Sequence, residues 1–184
     1  VDISSGSQSE LLDMKFIFVE GTPEREIISV KNIYEWGNYK YELIANDSIF
    51  KEQEIVLNPE AKGYKLRARI SGHGHEGPRN CCEWDSKTHT YFVNGGVMER
   101  WNIWKNCGDN PIYPQGGTWQ FDRAGWCPGT PVDTYDFEIT DYFDPGDTLM
   151  LDYGIEMYRD NGEKNGYFRQ THQIFSYGEP NFTT

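Results

Sequence analysis

The chain has no long apolar run, and nothing in it approaches the roughly 20 residues that a membrane-spanning helix needs. Basic charge is also scarce: Lys+Arg is 17 against 29 for Asp+Glu, a net charge of -12. That balance argues against a nucleic-acid phosphate partner or an anionic membrane, both of which require a basic surface. No segment keeps a 3.6-residue apolar period over three turns, so long helices are not expected. There is no internal repeat, no low-complexity tract and no clear linker. The opening residues, Val1 to Gly6, lack both a basic n-region and an apolar h-region. Any secretion signal is therefore expected to have been removed or to lie outside this chain.

What the chain does have is aromatic surface. Tyr, Phe and Trp make up 15% of its 184 residues, although hydrophobic residues reach only 37%. Large rings carry large buried area and argue against disorder. A chain of this length suits one domain and buries roughly 70% of its unfolded surface, so neither metal nor disulfide is needed simply to fold. Residues 1–13 are polar and read as a loose segment ahead of a domain spanning 14–184.

The dominant period is two. Leu66, Ala68 and Ile70 alternate with Lys65, Arg67 and Arg69; Tyr135, Phe137 and Ile139 alternate with Thr134, Asp136 and Glu138. Leu149, Leu151, Tyr153, Ile155 and Met157 alternate with more polar neighbours. Met14 to Val19, Thr88 to Val93 and Thr171 to Tyr177 read as further strands. Turn chemistry lies between: Asn94-Gly95-Gly96, Asp144-Pro145-Gly146-Asp147 and Asp160-Asn161-Gly162. Pro second and Gly third is the pattern of a type II turn. Half-buried strands at short spacing predict an all-β, antiparallel sandwich.

One stretch, Gly72 to Gly129, is largely without either period, yet it holds all four cysteines and five of the six tryptophans. Long irregular segments in compact domains are usually disordered or functional, and Trp84, Trp101, Trp104, Trp119 and Trp126 favour function. In Ser71-Gly72-His73-Gly74-His75 the glycines allow close backbone approach, and His-x-His is compatible with Zn or Cu ligation or with an ordinary polar loop. In Cys81-Cys82-Glu83-Trp84-Asp85 a carboxylate sits beside an indole. An apolar wall raises a carboxyl's proton affinity and suits acid/base work; the bland reading is a surface Glu beside a packing Trp. Arg123, between Trp119 and Trp126, is either a packed arginine paired to Asp122 or a donor that grips a sugar or carboxylate. A disulfide joining Cys107 to Cys127 would close a loop of about twenty residues, worth about 3 kcal/mol by chain entropy. An even cysteine count leans towards an oxidising compartment.

Together these elements resemble the peptide-N-glycosidase F family, bacterial amidases that release N-glycans from asparagine. The matching residues are Gly21-Thr22-Pro23, Ile70-Ser71-Gly72-His73-Gly74-His75, Cys81-Cys82-Glu83-Trp84 and Thr88-His89-Thr90. Cys107, Asn110-Pro111 and the long run Asp122-Arg123-Ala124-Gly125-Trp126-Cys127-Pro128-Gly129 complete the match. The resemblance implies one of two jelly-roll-like β-sandwiches, an architecture shared with the peptidylglycine monooxygenases, here only the C-terminal one. It implies an active site in the cleft between sandwiches, whose essential aspartate and a further acid belong to the N-terminal sandwich. It also implies Glu83 as the catalytic glutamate of this half, with Trp84, Arg123 and Trp126 along the substrate cleft. His73 stands where the family has a cleft tryptophan. Cys107–Cys127 matches a family disulfide. Asp85 replaces the cysteine that would pair locally with Cys81, which leaves the state of Cys81 and Cys82 open. On this reading no cofactor or metal is required. The partners are an N-glycosylated peptide or glycoprotein and the N-terminal jelly-roll domain of the same protein, and the location is secreted, periplasmic or cell-surface in a bacterium. Two other functions remain as alternatives. One is a non-catalytic module binding glycan or protein; the other is a copper-dependent relative of the monooxygenases using His73, His75 and His89.

Overall fold

Leu66, Ala68 and Ile70 are completely buried while Arg69 between the last two faces solvent, as their alternation requires. The computed structural model describes residues 15–76, 81–110, 112, 116–158 and 166–181. In chain order the elements are β1 (Arg25–Lys40), a short helix α1 (Tyr41–Ala45), β2 (Gln53–Val56), β3 (Gly63–His73), β4 (His75–Glu76) and β5 (Cys81–Cys82). There follow β6 (Thr88–Val93), β7 (Gly96–Asn102), β8 (Thr134–Glu138), a 3-10 turn (Thr140–Tyr142), β9 (Thr148–Ile155) and β10 (Tyr167–Pro180). The strands make two four-stranded sheets, β1-β10-β3-β8 and β2-β9-β6-β7, and a small β4-β5 ribbon. Every pairing is antiparallel. The chain crosses repeatedly between the large sheets, which makes the fold an antiparallel jelly-roll-like sandwich.

The turns follow their chemistry. Asn94 and Gly95 both take positive φ, 50° and 77°, as a tight two-residue hairpin between β6 and β7 demands. Gly146 has φ 88° and Asp147 N–H donates to Asp144 O at 3.1 Å, closing the Pro-Gly turn ahead of β9. The third turn, Asp160-Asn161-Gly162, lies outside the described residues.

Between the sheets sits a polar aromatic network whose proton arrangement follows from its acceptors. Tyr153 O–H donates to Gln170 Oε1 at 3.0 Å, so its oxygen accepts from His89 Nδ1–H at 2.6 Å. His172 Nε2–H donates to the same Gln170 oxygen at 3.3 Å, so His172 Nδ1 accepts Tyr91 O–H at 2.6 Å. Burial pushes both imidazoles down to about pKa 3, with His89 adding to the effect at His172. They are neutral members of the core.

Two expectations differ from the structure. Lys15 to Glu20 forms no strand, and Phe16, Ile17, Phe18 and Val19 are 66 to 93% exposed. Apolar residues make a strand only where a neighbouring backbone can bond to them, and no described strand runs alongside these. In β9 the alternation holds through Leu149, Leu151 and Tyr153, but the ladder stops at Ile155 and Met157 is exposed.

Candidate active site

The site forms where the end of β3 meets two later segments. Gly72 is needed because a Cβ there would lie 1.7 Å from Cys82 O. Gly72 N–H donates to Ala124 O at 2.9 Å, and Cys82 N–H and Glu83 N–H both donate to Gly74 O. Glu83 O in turn accepts from Ala124 N–H at 2.9 Å, so the Glu83 backbone is held on both sides. Gly125 has φ +75°, and a Cβ on it would approach Ile70 O to 2.3 Å. The segment carrying Arg123 is further tied by a bridge in which Lys105 and Arg123 exchange backbone hydrogen bonds of 2.8 and 3.1 Å. The Cys107–Cys127 disulfide joins the same two stretches, with Cα atoms 5.5 Å apart. Cys81 and Cys82, whose state the sequence left open, are bonded to each other across a cis peptide.

The backbone arrangement brings Glu83 and Arg123 together. Arg123 Nε–H donates to Glu83 Oε1 at 3.1 Å. The guanidinium spends its other N–H groups on Thr118 O at 2.8 Å, Thr118 Oγ1 at 2.9 Å and, at 3.4 Å, the carbonyls of Trp119 and Phe121. It lies between two indoles, 4.4 Å from the Trp84 ring centroid and 4.9 Å from that of Trp126. Arg123 is 2% exposed, so it is a buried clamp. Its neighbour Asp122 is not its partner; Asp122 Oδ1 accepts from Cys107 N–H at 2.9 Å. Glu83 keeps 18% of its side chain exposed, and its Oε2 has no hydrogen-bond partner among the described residues. The result is a carboxylate fixed through one oxygen and open through the other.

Trp126 is fixed by donating Nε1–H to Gly72 O at 2.9 Å. His73 packs 5.0 Å from the Trp126 ring and 5.3 Å from Tyr167, and its Nε2 is hydrogen-bonded to Ser71 Oγ at 2.9 Å. Burial, and secondarily the Arg169 charge, hold His73 down to about pKa 4, so it is a neutral aromatic wall at neutral pH. His75 stacks 6.2 Å from Trp84. His89 is completely buried in the sandwich core, apart from His73 and His75. The His73/His75/His89 copper set is thus not assembled, and among the described residues no three His, Cys, Asp or Glu side chains group to hold a metal ion. Asp85 is buried and pairs with Lys87 at 2.7 Å, a structural role.

Sequence reasoning missed Thr118, whose hydroxyl and carbonyl complete the arginine clamp, and the partnership of Glu83 with Arg123. Only the latter left a trace, in the shared tryptophan neighbours.

Fold and site together define a jelly-roll-like domain that presents one clamped carboxylate among aromatic faces. The family described as peptide-N-glycosidase F, C terminal, matches residues 40–174, and the chain belongs to that family. It is 30% identical over 165 residues to peptide-N(4)-(N-acetyl-beta-D-glucosaminyl)asparagine amidase F of Elizabethkingia miricola, covering 83% of this chain and 46% of that protein. A crystal structure of a peptide-N(4)-(N-acetyl-beta-D-glucosaminyl)asparagine amidase superposes with a TM-score of 0.78 at 26% identity, covering 90% of this chain and 57% of the other. The glycosylasparaginase PNGase F from Flavobacterium meningosepticum gives 0.72 at 27% identity, covering 87% and 55%. The chain thus spans about half the length of the relatives it matches.

Proposed function

We propose that this chain is the C-terminal half of a secreted or cell-surface bacterial peptide-N4-(N-acetyl-β-glucosaminyl)asparagine amidase. Its active site would be shared with an N-terminal sandwich of the same protein. The observation that carries this reading is Glu83, anchored through Oε1 by Arg123, which itself lies between Trp84 and Trp126, and unpartnered at Oε2 among the described residues. In the reaction, water adds to the asparagine side-chain carbonyl, the C–N bond breaks, and the nitrogen leaves on the sugar as a glycosylamine. Aspartate remains in the peptide. Such a step needs an activated water and charge stabilisation at the developing oxyanion. Glu83 Oε2 accepts a hydrogen bond from the water or from a sugar or amide group, and Arg123 fixes its direction. The indoles exclude solvent and stack on the CH faces of the sugar. The second acid comes from the other sandwich. The family membership, the two disulfides and the acidic net charge support the reading and its extracytoplasmic setting.

The test is glycan release from a denatured glycoprotein by the full two-domain protein. Glu83→Gln keeps the shape and removes the charge, so the rate is expected to fall by about 10²- to 10⁴-fold, the range of acid–base contributions. Wild-type rates in that variant, or turnover by the isolated chain, overturn the assignment.

A further inference from the structure

The outer face of sheet β1-β10-β3-β8 carries a row of basic side chains, and most of them are neutralised within the protein. Arg25 makes a two-point contact with Glu138 at 3.0 and 2.8 Å. Lys65 and Arg67 share Asp136 at 3.0 and 2.6 Å. Arg69 and Arg169 are different. Both are exposed, and the acceptors they reach are neutral: Thr134 Oγ1 at 3.1 Å for Arg69 and Asn38 Oδ1 at 2.9 Å for Arg169. In each case the contact uses Nε–H, leaving the terminal guanidinium nitrogens without a hydrogen-bond partner among the described residues. The β3/β10 register pairs Arg69 with Thr171 and Ser71 with Arg169, so the two cations are diagonal neighbours on one face. In a chain of net charge -12, two adjacent cations without an acidic partner among the described residues are a local reversal of sign.

They sit in a groove of about 600 Å³ lined by Trp36, Arg69, His73, Trp126, Val132 and Arg169. Trp36 is 69% exposed at its rim. His73 is neutral at neutral pH, so the two arginines supply the charge among these residues. Trp126 belongs both to this groove and to the clamp on Arg123, so one indole is shared between the groove and the Glu83 site. Flat indole faces suit the CH face of a pyranose, and a pair of guanidinium groups suits a carboxylate or sulfate attached to it.

We propose that this groove is a subsite for an anionic sugar of the glycan, held by Arg69 and Arg169 with its ring against Trp36 or Trp126. The proposal rests on the reading of the chain as half of a glycan-releasing amidase and adds a preference for acidic glycans.

The test uses free glycans, which are products and undergo no turnover, titrated into the full-length protein by calorimetry. The probes are a sialylated biantennary glycan and its desialylated counterpart. Two solvent-exposed ion pairs together are worth up to about tenfold in affinity. The sialylated glycan is therefore expected to bind about tenfold more tightly at low salt, with the advantage reduced by added salt. Arg69→Gln/Arg169→Gln should abolish the advantage and leave the neutral glycan's affinity unchanged. Both side chains are exposed, so the double variant should keep the wild-type circular dichroism spectrum and melting point. Equal affinity for the two glycans in the wild type overturns the subsite, as does an advantage that survives the double substitution. A third probe, a peptide with aspartates flanking a neutral glycan, addresses the other source of negative charge. If its binding rather than the sialylated glycan's depends on the two arginines, the assignment to sugar is overturned. Because the titration does not require cleavage, its failure is distinct from a failure of the Glu83→Gln activity test.

Discussion

Arg123→Met is the most searching perturbation of the site, because it removes the charge that holds Glu83 while keeping an unbranched chain between the two indoles. Breaking a buried ion pair by deleting one partner costs about 3–5 kcal/mol, since the other charge is left uncompensated. The Arg123 side chain is only 3% exposed but that of Glu83 is 18%, and residual solvation of the carboxylate reduces the cost to about 2–3 kcal/mol. Thr118 O loses its 2.8 Å donor, adding about 1 kcal/mol for a partly desolvated carbonyl. The weaker 3.4 Å contacts to the Trp119 and Phe121 carbonyls add little. Replacing a cation between Trp84 and Trp126 by a thioether loses about 1 kcal/mol of cation–π attraction and keeps most of the packing. The total is about 4 kcal/mol, which for a domain of this size lowers the melting temperature by about 8–16 °C. Glu83→Gln should be milder, about 1–2 kcal/mol, because a charge-assisted hydrogen bond becomes a neutral one. It is not free, as it would be for an unpaired surface glutamate. Combined with Arg123→Met it should add little, since an amide left behind is far cheaper than a carboxylate; the cycle should show about 1–2 kcal/mol of coupling. Urea unfolding of the four proteins supplies the numbers. A loss below about 1 kcal/mol for Arg123→Met, or strict additivity in the cycle, refutes the clamp.

Gly125→Ala forces a side chain into a positive-φ position with its Cβ 2.3 Å from Ile70 O, so it should cost more than about 2 kcal/mol; an unchanged urea midpoint would contradict this. Replacing both Cys107 and Cys127 by serine should lower stability by about 3 kcal/mol through the freed unfolded chain, read as a melting-point shift relative to the oxidised wild type. Stability should decline as the pH falls through the ordinary histidine range. The unfolded histidines protonate near 6.5, whereas folded His89 and His172 resist to about 3. Each ring then subtracts about 1.4 kcal/mol per pH unit below 6.5, and the same unfolding midpoint at pH 7 and pH 5 would argue against neutral buried imidazoles.

The strands that could be read were those with one buried and one open face. In β3, Leu66, Ala68 and Ile70 point into the sandwich and Lys65, Arg67 and Arg69 point out, so burial imposes period two directly on the residues. The sixteen-residue β1 escaped because it is an edge strand with repeated register shifts. Its Ile27, Ile28 and Val30 are all substantially exposed, and the bulges place Ile33 and Tyr34 both inside. Such a strand carries no alternation to detect. The candidate acid was legible through its tryptophan neighbour and the family motif, but its partner was not. Arg123 lies 40 positions away, and the sequence offers adjacent Asp122 as the nearer charge. Deciding between them requires knowing that Gly74 O and the Ala124 amide pin the Glu83 backbone, which is information of tertiary origin.

That dependence explains why the most aromatic part of the chain is also the least regular. A carboxylate that is to meet a ligand in one fixed direction must be held to within a fraction of an ångström, and a helix or strand ordinarily supplies that rigidity. Here β5 is only two residues long and is followed directly by Glu83. The precision has to come from cross-links instead: the Cys107–Cys127 bond, the Lys105–Arg123 bridge, the indole of Trp126 on Gly72 O and the fan of arginine hydrogen bonds. Each link joins the irregular stretch to itself or to the end of β3, which the sandwich core already fixes. Gly72 and Gly125 let these backbones approach to distances that any side chain would forbid. A disulfide, an arginine between indoles and two obligatory glycines therefore do for this loop what a hydrogen-bonded ladder does elsewhere. They also leave Glu83 Oε2 without a hydrogen-bond partner among the described residues.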